Sequence, residues 1–411
     1  MSLAEVFEHA LGGTNDVAFK AYDGSYAGPA DAEVLLEVRS PLALRFVVTS
    51  PGDLGLARAY VTGHLEVHGD LFRALQTLTQ ARIGDLDWAQ RLEVLKAAGG
   101  IAALRRPPLP SVEHRRSLHR RHSKSRDAKV ISHHYDVSNR FYEWVLGPTM
   151  AYTCATYPTA DATLEEAQAA KFDLVARKLA LQPGMRLLDV GCGWGGMVLH
   201  SAREYGVRVL GVTLSRNQAD WAKREIDGAG LSDRAEVRHL DYRDVLETDF
   251  DAVSYIGLTE HIGLANLPSY FTFLASKLRD GGRILNHCIT RSTTKEPARA
   301  GGFINNYVFP DGELEGVGTI VSAMQDNGLE VRHEENLREH YAMTLRDWGA
   351  NIERHWDEAV AEVGLQRARV WRLYMAASRL GFTTRRIELH QVLGVKTSPT
   401  GVSGWPLRPD W

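Results

Sequence analysis

The strongest constraint on the fold is a glycine-rich turn between an apolar run and a helix-length stretch. The segment "LLDVGCGWGG" (187–196) leads from the run at 184–191 into a stretch from Trp194 to Tyr205. Short runs rich in Val and Leu are typical of buried strands. Glycine lets the backbone turn sharply and approach a ligand closely. The sequence therefore predicts a strand–turn–helix unit with a ligand at the turn.

Strands and helices are predicted to alternate through the C-terminal part of the chain. Further strands are expected at 206–214, 235–240, 250–256 and 282–289, with helices near 215–229 and 266–279. This pattern indicates an open, mostly parallel sheet with helices on both faces, a doubly wound α/β fold. Because ligands of such sheets bind beyond the carboxyl ends of the strands, we expect the site at that edge.

The glycine spacing alone leaves the identity of the nucleotide ligand open. Gly191, Gly193 and Gly196 match G-x-G-x-x-G, but an NAD site also needs an acid about 20 residues further on. The second strand instead ends in "GVTLSRNQ" (211–218), which has no carboxylate. The pattern D-x-G-x-G from Asp189, with Asp241 after the third strand, suits S-adenosylmethionine. An NAD-dependent oxidoreductase remains an alternative.

A basic segment divides the chain. Residues 105–129 contain nine Arg or Lys against two acidic residues, a balance of +7, and three prolines stand near the start. We interpret this segment as a linker between an N-terminal domain (1–104) and a catalytic domain (130–411). It is either a solvated hinge or a surface that meets anionic phosphates, of lipid or less readily of nucleic acid. No aromatic residue interleaves the basic ones, which disfavours single-stranded nucleic acid.

Composition favours an ordinary globular protein. The chain has 411 residues, 44% of them hydrophobic, and no uninterrupted apolar stretch approaches the ~18 residues of a spanning helix. We therefore expect a cytoplasmic location. The three cysteines, Cys154, Cys192 and Cys288, are far apart and odd in number, so neither a disulfide framework nor a zinc site is indicated. We expect no metal site among the histidines and acids either.

Six blocks carry a resemblance to a known family. They are "HHYDVSNRFYEWVLGPTMAYTCATYP" (133–158), "LLDVGCGWGGMVLHSAREYGVRVLGVTLSRNQ" (187–218), "GLTEHIG" (257–263), "GGRILNHCIT" (281–290), "YVFPDGEL" (307–314) and "HYAMTLRDW" (340–348). In this order the blocks resemble the cyclopropane-fatty-acyl-phospholipid synthase family of S-adenosylmethionine-dependent methyltransferases. The segment 52–71 resembles the N-terminal domain of the longer members. The resemblance implies a Rossmann-like class I methyltransferase sheet with a smaller, lipid-engaging N-terminal domain.

The resemblance also implies a reaction. The methyl group of S-adenosylmethionine would pass to the cis double bond of an unsaturated phospholipid acyl chain, and a bound bicarbonate ion would take a proton from the resulting carbocation. A cyclopropane or a methylene branch would result, and the motifs do not separate the two products. The resemblance further implies a peripheral protein at the inner membrane face, with a homodimer and, for a methylene product, a partner reductase as further expectations.

Site residues follow from the same resemblance. The bicarbonate ligands would be Cys154 and Ile289, through their backbones, together with Glu260, His287 and Tyr341. The cofactor would be bound by Tyr152, Thr153, Asp189, Gly191, Cys192, Gly193, Gly195, Thr213, Leu214, Ser215, Gln218, Asp241 and Tyr242.

Two departures from the family pattern and two further alternatives remain at this point. Thr153 stands where many members have Ser, and Asn286 stands where an apolar residue is common. His261, next to Glu260, is interpreted as a supporting residue and not as a catalyst. The alternatives are a nucleic-acid methyltransferase, opposed by the absence of an [DN]-P-P-[YFW] motif, and a catalytically silent lipid-binding protein.

Overall fold

The computed structural model describes most of the chain. The described residues are 2–10, 17–80, 88–97, 100, 104–114, 138–295, 301–310 and 312–411. Most of the predicted basic linker, from 115 onward, and the histidines at 133 and 134 lie outside them. Within the described part, no helix is long and apolar enough to cross a membrane.

The elements are given in chain order. The helices are Leu3–Ala10 (α1), Pro41–Thr49 (α2), Asp53–Val61 (α3), Leu71–Gln80 (α4), Trp88–Ala97 (α5), Asn139–Leu146 (α6), Leu164–Lys178 (α7), Gly196–Glu204 (α8), Arg216–Gly228 (α9), Leu267–Lys277 (α10), Gly302–Tyr307 (α11), Val317–Asp326 (α12), Arg338–Arg354 (α13), Trp356–Val363 (α14) and Leu365–Thr383 (α15). The strands are Val17–Ala21 (β1), Tyr26–Ala27 (β2), Val34–Val38 (β3), Leu65–His68 (β4), Arg186–Val190 (β5), Arg208–Thr213 (β6), Ala235–His239 (β7), Phe250–Ile256 (β8), Leu278–Arg291 (β9), Glu330–Asn336 (β10) and Ile387–Val395 (β11).

The chain folds into two compact units. The first comprises Met1–Arg116, Gly301–Pro310 and Ile352–Leu380, and the second comprises Ser117–Ala300, Asp311–Asn351 and Gly381–Trp411. The sequence predicts 301–310 and 352–380 within the catalytic domain, whereas the structure groups both with the N-terminal residues. Contacts between residues far apart in sequence produce this grouping.

The first unit is built on a four-stranded sheet in the order β2-β1-β3-β4. Strands β1 and β3 are parallel, and the outer pairs are antiparallel. Polar contacts bind the inserted segments: Asp53 accepts a hydrogen bond from the Phe303 N–H at 3.1 Å, and the Tyr307 hydroxyl donates to Glu113 at 2.9 Å. Arg369 donates to the Tyr60 carbonyl at 2.9 Å. These contacts hold the segments 301–310 and 352–380, which are distant in sequence, against the N-terminal residues of the first unit.

The second unit contains a seven-stranded sheet in the order β10-β11-β9-β8-β5-β6-β7. Strands β7, β6, β5, β8 and β9 pair in parallel, and β11 lies antiparallel between β9 and β10. Helices α7, α8 and α9 contribute to the buried apolar cluster on one face, and α10 and α12 contribute to that on the other. The predicted doubly wound α/β fold is confirmed. The sequence did not indicate β10 and β11.

Local sequence explains the elements around the site. Strand β5 is buried from Leu187 to Val190. Asp189, the acidic residue near its end, therefore lies in an apolar run at the carboxyl edge of the sheet. Helix α7 begins with a reciprocal capping box in which Thr163 and Glu166 satisfy each other's backbone N–H groups. Helix α9 begins where the Ser215 hydroxyl accepts from the Gln218 N–H. These caps fix the segments that flank the strand ends.

Candidate active site

A cleft opens at the carboxyl ends of β5, β6 and β8. It encloses about 1100 Å³ of empty space, open solvent included, and its wall includes the last residues of all three strands. This is where an open parallel sheet is expected to bind its ligand, because the order of the strands reverses at β5, which has β6 on one side and β8 on the other. We call this region the cofactor cleft.

The glycine turn forms one wall of the cofactor cleft. Gly191 has φ +72° and Gly193 has φ +55°, in the left-handed region that a side chain disfavours. The N–H groups of Gly191 and Cys192 both donate to the Val212 carbonyl, at 2.9 and 3.0 Å, which ties the turn to β6. The turn therefore presents bare backbone to the cleft, as a closely approaching ligand requires.

Ten of the thirteen cofactor residues named from the sequence line the cleft: Tyr152, Thr153, Asp189, Gly191, Cys192, Gly193, Thr213, Leu214, Gln218 and Tyr242. The other three lie behind the lining. Gly195 is the N-cap of α8, and Ser215 is the N-cap of α9. The Asp241 carboxylate pairs with Arg243, with a 2.6 Å contact to Nη2. Arg243 itself lines the cleft, so Asp241 positions this guanidinium.

Lys171 is a cleft residue that the sequence analysis missed. Its side chain is buried, and Nζ donates to the Thr153 hydroxyl at 3.0 Å. Burial lowers the pKa of Lys171 to about 7, although Cys154 and Asp189 act in the opposite direction. Helical spacing offered a signal, because Lys171 follows buried Ala167 and Gln168 and precedes buried Val175 on one face of α7.

Asp189 is also buried at the cleft. Its Oδ1 accepts a hydrogen bond from the Ser254 hydroxyl at 2.7 Å. Burial raises the pKa of Asp189 to about 6, because the hydrogen bond from Ser254 and the nearby Lys171 only partly offset the loss of solvation. A buried lysine and a buried aspartate thus line the cleft with pKa values close to neutrality.

A second site lies where β9 extends past the end of β8, and we call it the polar pocket, defined by Glu260, His287 and Ile289. Because β8 ends at Ile256, the Ile289 N–H has no strand partner on that side. Glu260, in the turn after β8, takes this hydrogen bond with Oε1 at 2.7 Å. Burial raises the pKa of Glu260 to about 7. Its other oxygen, Oε2, is buried and has no hydrogen-bond partner.

His287 supplies the second unsatisfied atom of the polar pocket. The residue lies opposite Ile256 of β8 and Gln391 of β11, and its Nδ1 lies 3.2 Å from Gln391 Nε2. Its Nε2 is buried without a partner. Burial and the charges of Lys171 and Lys178 hold the pKa of His287 well below its ordinary value, so the ring is neutral. One orphaned oxygen in the turn after β8 and one orphaned nitrogen on β9 indicate a small polar ligand.

The remaining two ligands predicted for the anion, Cys154 and Tyr341, both lie near the N-terminus of helix α13. Cys154 is fully buried, and its Sγ lies 3.8 Å from the Leu337 carbonyl just before α13. Burial raises the pKa of the Cys154 thiol, so it is not a thiolate. Tyr341 is buried in the first turn of α13, with its ring 4.5 Å from that of Phe382 between centroids. The adjoining Ala155 N–H donates to Thr344 at 3.0 Å, which fixes this segment on the helix.

Gly257 connects the cofactor cleft with the polar pocket. It lines the cleft, and its N–H donates to the His287 carbonyl at 2.8 Å. A Cβ added at Gly257 would lie 3.0 Å from the Thr153 methyl group. His261, expected to be a supporting residue, lines the cleft, while its neighbour Glu260 is bound to β9. The two members of this pair therefore serve different regions.

Asn286 has a defined place in this turn. Its Oδ1 accepts a hydrogen bond from the Thr259 hydroxyl at 2.9 Å, so it holds the residue immediately before Glu260. An apolar side chain at 286 would not supply this acceptor. The departure from the family pattern at Asn286 thus comes with a hydrogen bond that fixes the Glu260 turn.

Comparison with known proteins identifies the group to which this architecture belongs. Residues 122–392 match the family model described as mycolic acid cyclopropane synthetase. The chain belongs to this family. A probable fatty acid methyltransferase of Mycobacterium tuberculosis is 54% identical over 422 aligned positions, covering 100% of this chain and 98% of the relative. The cyclopropane-fatty-acyl-phospholipid synthase of Escherichia coli K12 is 34% identical over 271 positions, covering 66% of this chain and 69% of the relative.

A solved structure gives the same assignment. A mycolic acid cyclopropane synthase in complex with SAH and CTAB is 32% identical, has a TM-score of 0.62, and covers 65% of this chain and 97% of that chain. The predicted family and the class I methyltransferase fold are confirmed, and the chain is an S-adenosylmethionine-dependent methyltransferase. The alternative of an NAD-dependent oxidoreductase gains no support from these relatives.

Proposed function

We propose that this methyltransferase transfers the methyl group of S-adenosylmethionine to the cis double bond of an unsaturated phospholipid acyl chain. Family membership and the named relatives support methylation or cyclopropanation of lipid acyl chains as the reaction class. One observation carries the finer proposal: a polar pocket with an unsatisfied carboxyl oxygen and an unsatisfied imidazole nitrogen adjoins the cofactor cleft.

The proposed chemistry requires little covalent participation by the protein. S-adenosylmethionine supplies the methyl group, and bicarbonate bound in the polar pocket supplies the base. The chain's residues hold the two reactants in line and exclude water from a carbocation. The buried aromatic rings near α13, including Tyr341 and Trp348, whose centroids lie 6.1 Å apart, provide apolar walls whose faces stabilise positive charge.

The donor and acceptor atoms of the polar pocket support bicarbonate as its ligand. Bicarbonate has one hydroxyl donor and several acceptor oxygens, and the pocket has an acceptor at Glu260 Oε2 and a ring nitrogen at His287 Nε2, both buried and without partners. Glu260 would hold the ion's hydroxyl, and His287 and Tyr341 would donate to its oxygens. Lys171, whose charge acts on both Cys154 and His287, would add attraction for an anion.

A loop of the first unit supports contact with a lipid surface. Leu104 and Leu109 are 62% and 59% exposed, and Arg105 and Arg106 between them are exposed as well. Pro110 is buried, and Glu113 is held by Arg58, so the chain is anchored on the side that follows Leu109. Apolar tips flanked by basic residues suit insertion into an anionic bilayer. We propose this loop as the contact through which the enzyme reaches phospholipid at the inner membrane face.

A labelled-product assay tests the reaction. The purified chain is incubated with labelled S-adenosylmethionine, bicarbonate and vesicles of oleoyl phospholipid, and the released fatty acids are analysed by mass spectrometry after cleavage specific for double bonds. A product one CH2 heavier that resists cleavage is a cyclopropane, and one that cleaves is a methylene compound. The methylene outcome would imply a partner reductase. No mass change with vesicles or detergent-dispersed lipid would refute the proposal.

Vesicle sedimentation tests the lipid contact separately. Changing Leu104 and Leu109 together to Ser should reduce binding to anionic vesicles while leaving turnover of detergent-dispersed lipid unchanged. Tyr26→Ser, at another exposed apolar side chain of the first unit, is the matched control. Equal sedimentation of the double variant and the wild-type chain would exclude this loop as the contact. Sedimentation velocity on the same samples measures whether the expected homodimer forms.

A further inference from the structure

A line of hydrogen bonds runs behind His287, away from the polar pocket. Gln391 lies directly opposite His287 in the β9–β11 pair, with its Nε2 3.2 Å from His287 Nδ1. The oxygen of the same amide, Oε1, accepts from Lys178 Nζ at 2.7 Å. Lys178 also pairs with the carboxylate of Glu335 on β10. All but Glu335 are buried.

The order of donors in this line is fixed by Lys178. An ammonium group can only donate, so the amide atom facing it must be the acceptor oxygen of Gln391. The amide nitrogen therefore faces His287, and an amide N–H can only donate. His287 Nδ1 is thus the acceptor, and the single proton of a neutral imidazole must be on Nε2.

We propose that Gln391, oriented by Lys178, is a positioning residue that fixes His287 in the tautomer with the proton on Nε2. This inference rests on the proposed function, because the fixed donor would then point to the anion beside Glu260. His287 would present N–H to the oxygens of bicarbonate, as an anion site requires. In the opposite tautomer, a lone pair would face the anion and repel it.

The position of Lys178 supports a specific role over simple packing. Its side chain is fully buried, and Lys171 lies two helical turns earlier on the same buried face of α7. Burial lowers the pKa of Lys178 against the opposing effect of Glu335, so a charge at this position costs solvation free energy. An apolar side chain of similar length would fill the same space without that cost. The contribution of the Lys178 charge is to orient the Gln391 amide.

The key variant is Gln391→Glu, examined at pH 8. Its carboxylate keeps the pairing with Lys178 but can only accept, so the His287 proton should move to Nδ1 and leave Nε2 without a donor. We expect a loss in kcat on the order of a hundredfold, as for removal of one donor from a preorganised anion site. The apparent KM for added sodium bicarbonate should rise, while the dissociation constant of S-adenosylmethionine stays within about twofold.

The tautomer is read directly from the nitrogen-15 spectrum of histidine-labelled protein, with the His287 signals assigned by their loss in His287→Gln. The wild-type chain should show a protonated Nε2 and an unprotonated Nδ1, and Gln391→Glu should exchange them. Lys178→Met is the second variant, since it frees the Gln391 amide to reverse and should give a mixture of tautomers with an intermediate kcat. It keeps the test available should Gln391→Glu fail to fold.

Two outcomes would overturn the inference: a wild-type His287 protonated on Nδ1, or a folded Gln391→Glu chain with unchanged kcat and bicarbonate dependence. Failure of the proposed function is distinguishable from both. In that case the wild-type chain would modify no unsaturated lipid, while the nitrogen-15 spectra would still report how Gln391 and Lys178 set the tautomer.

Discussion

The cofactor cleft and the polar pocket adjoin one another but are built differently. One wall of the cleft comes from residues of a single local segment, 189–196, and its key groups are backbone atoms freed by glycine. The polar pocket takes Glu260 from a turn, His287 and Ile289 from β9, and Gln391 from β11 behind them. A local motif thus builds the wall of the cleft, whereas chain topology brings together the residues of the polar pocket. Variants should therefore separate the two regions experimentally.

The largest expected effect separates chemistry from cofactor binding. Glu260→Gln keeps an oxygen to accept the Ile289 N–H but loses the carboxylate that would hold the hydroxyl of bicarbonate. We expect kcat to fall by roughly 10² to 10⁴, the range typical of acid–base groups, with the dissociation constant of S-adenosylmethionine within about twofold. Rapid-quench turnover and calorimetric titration measure the two quantities. Full activity in this variant would remove Glu260 from the anion site.

The same substitution should change stability in the opposite direction. The pKa of Glu260 is raised in the folded chain to about 7 from an ordinary value of 4.5, so its stabilising contribution is present at low pH and is lost as pH rises through 7. Gln has no such loss. At pH 8 we expect Glu260→Gln to increase the free energy of unfolding by about 2 to 3 kcal/mol, and by little at pH 4.

Denaturant titration at the two pH values measures this difference. A variant less stable than the wild-type chain at pH 8 would show that the Glu260 carboxylate is compensated in a way that the structure does not reveal. A gain at pH 8 together with lost turnover would identify Glu260 as a residue retained for chemistry at the expense of stability.

The cleft should give the converse pattern. Gly191→Ala places a side chain at φ +72°, and its Cβ would lie 3.5 Å from Leu258. Left-handed backbone costs a non-glycine residue about 1 to 2 kcal/mol, and relaxing it would move the turn away from the cofactor. We expect the dissociation constant of S-adenosylmethionine to rise about tenfold, with the bicarbonate dependence unchanged.

Gly228→Ala is the matched control for this substitution, because Gly228 ends α9 with no neighbour near a Cβ. It should leave binding unchanged and stabilise the helix slightly. Equal affinity in Gly191→Ala and the wild-type chain would mean that the turn tolerates a side chain, and that the glycine serves another purpose.

The contrast between the two regions also explains what the sequence could predict. The β5 turn, the strands that follow it and the helices between them were predicted because each depends on its own apolar pattern. Strands β10 and β11 were missed because their pairing partners are distant in sequence. Gln391, for example, is a polar residue at a buried position, and its contact comes from Lys178, more than 200 residues earlier. The extension of the first unit by 301–310 and 352–380 was missed for the same reason.

Site residues show the same division. Most of the predicted cofactor residues lie together in the cleft because a strand end fixes where they point. Glu260 and His287 were named from family resemblance, and no local pattern could have indicated that Glu260 binds Ile289 instead of lining the cleft beside His261. Lys171 had a local signal, its position on the buried face of α7, that an analysis of helical spacing could have used.

The smallest expected effect, in the pH dependence of turnover, sharpens the comparison further. At saturating S-adenosylmethionine and constant bicarbonate in sealed vessels, kcat should follow ionisation of Glu260, whose pKa is about 7. It should therefore fall about threefold between pH 7.5 and 6.5.

The dissociation constant of S-adenosylmethionine should follow the cleft residues instead, Lys171 with a pKa of about 7 and Asp189 with one of about 6. Lys171→Met should change the pH profile of binding and leave the midpoint of kcat in place, because burial and backbone hydrogen bonds, and not the charge of Lys171, set the pKa of Glu260. A shift of both profiles together would mean that the two regions titrate as one coupled unit.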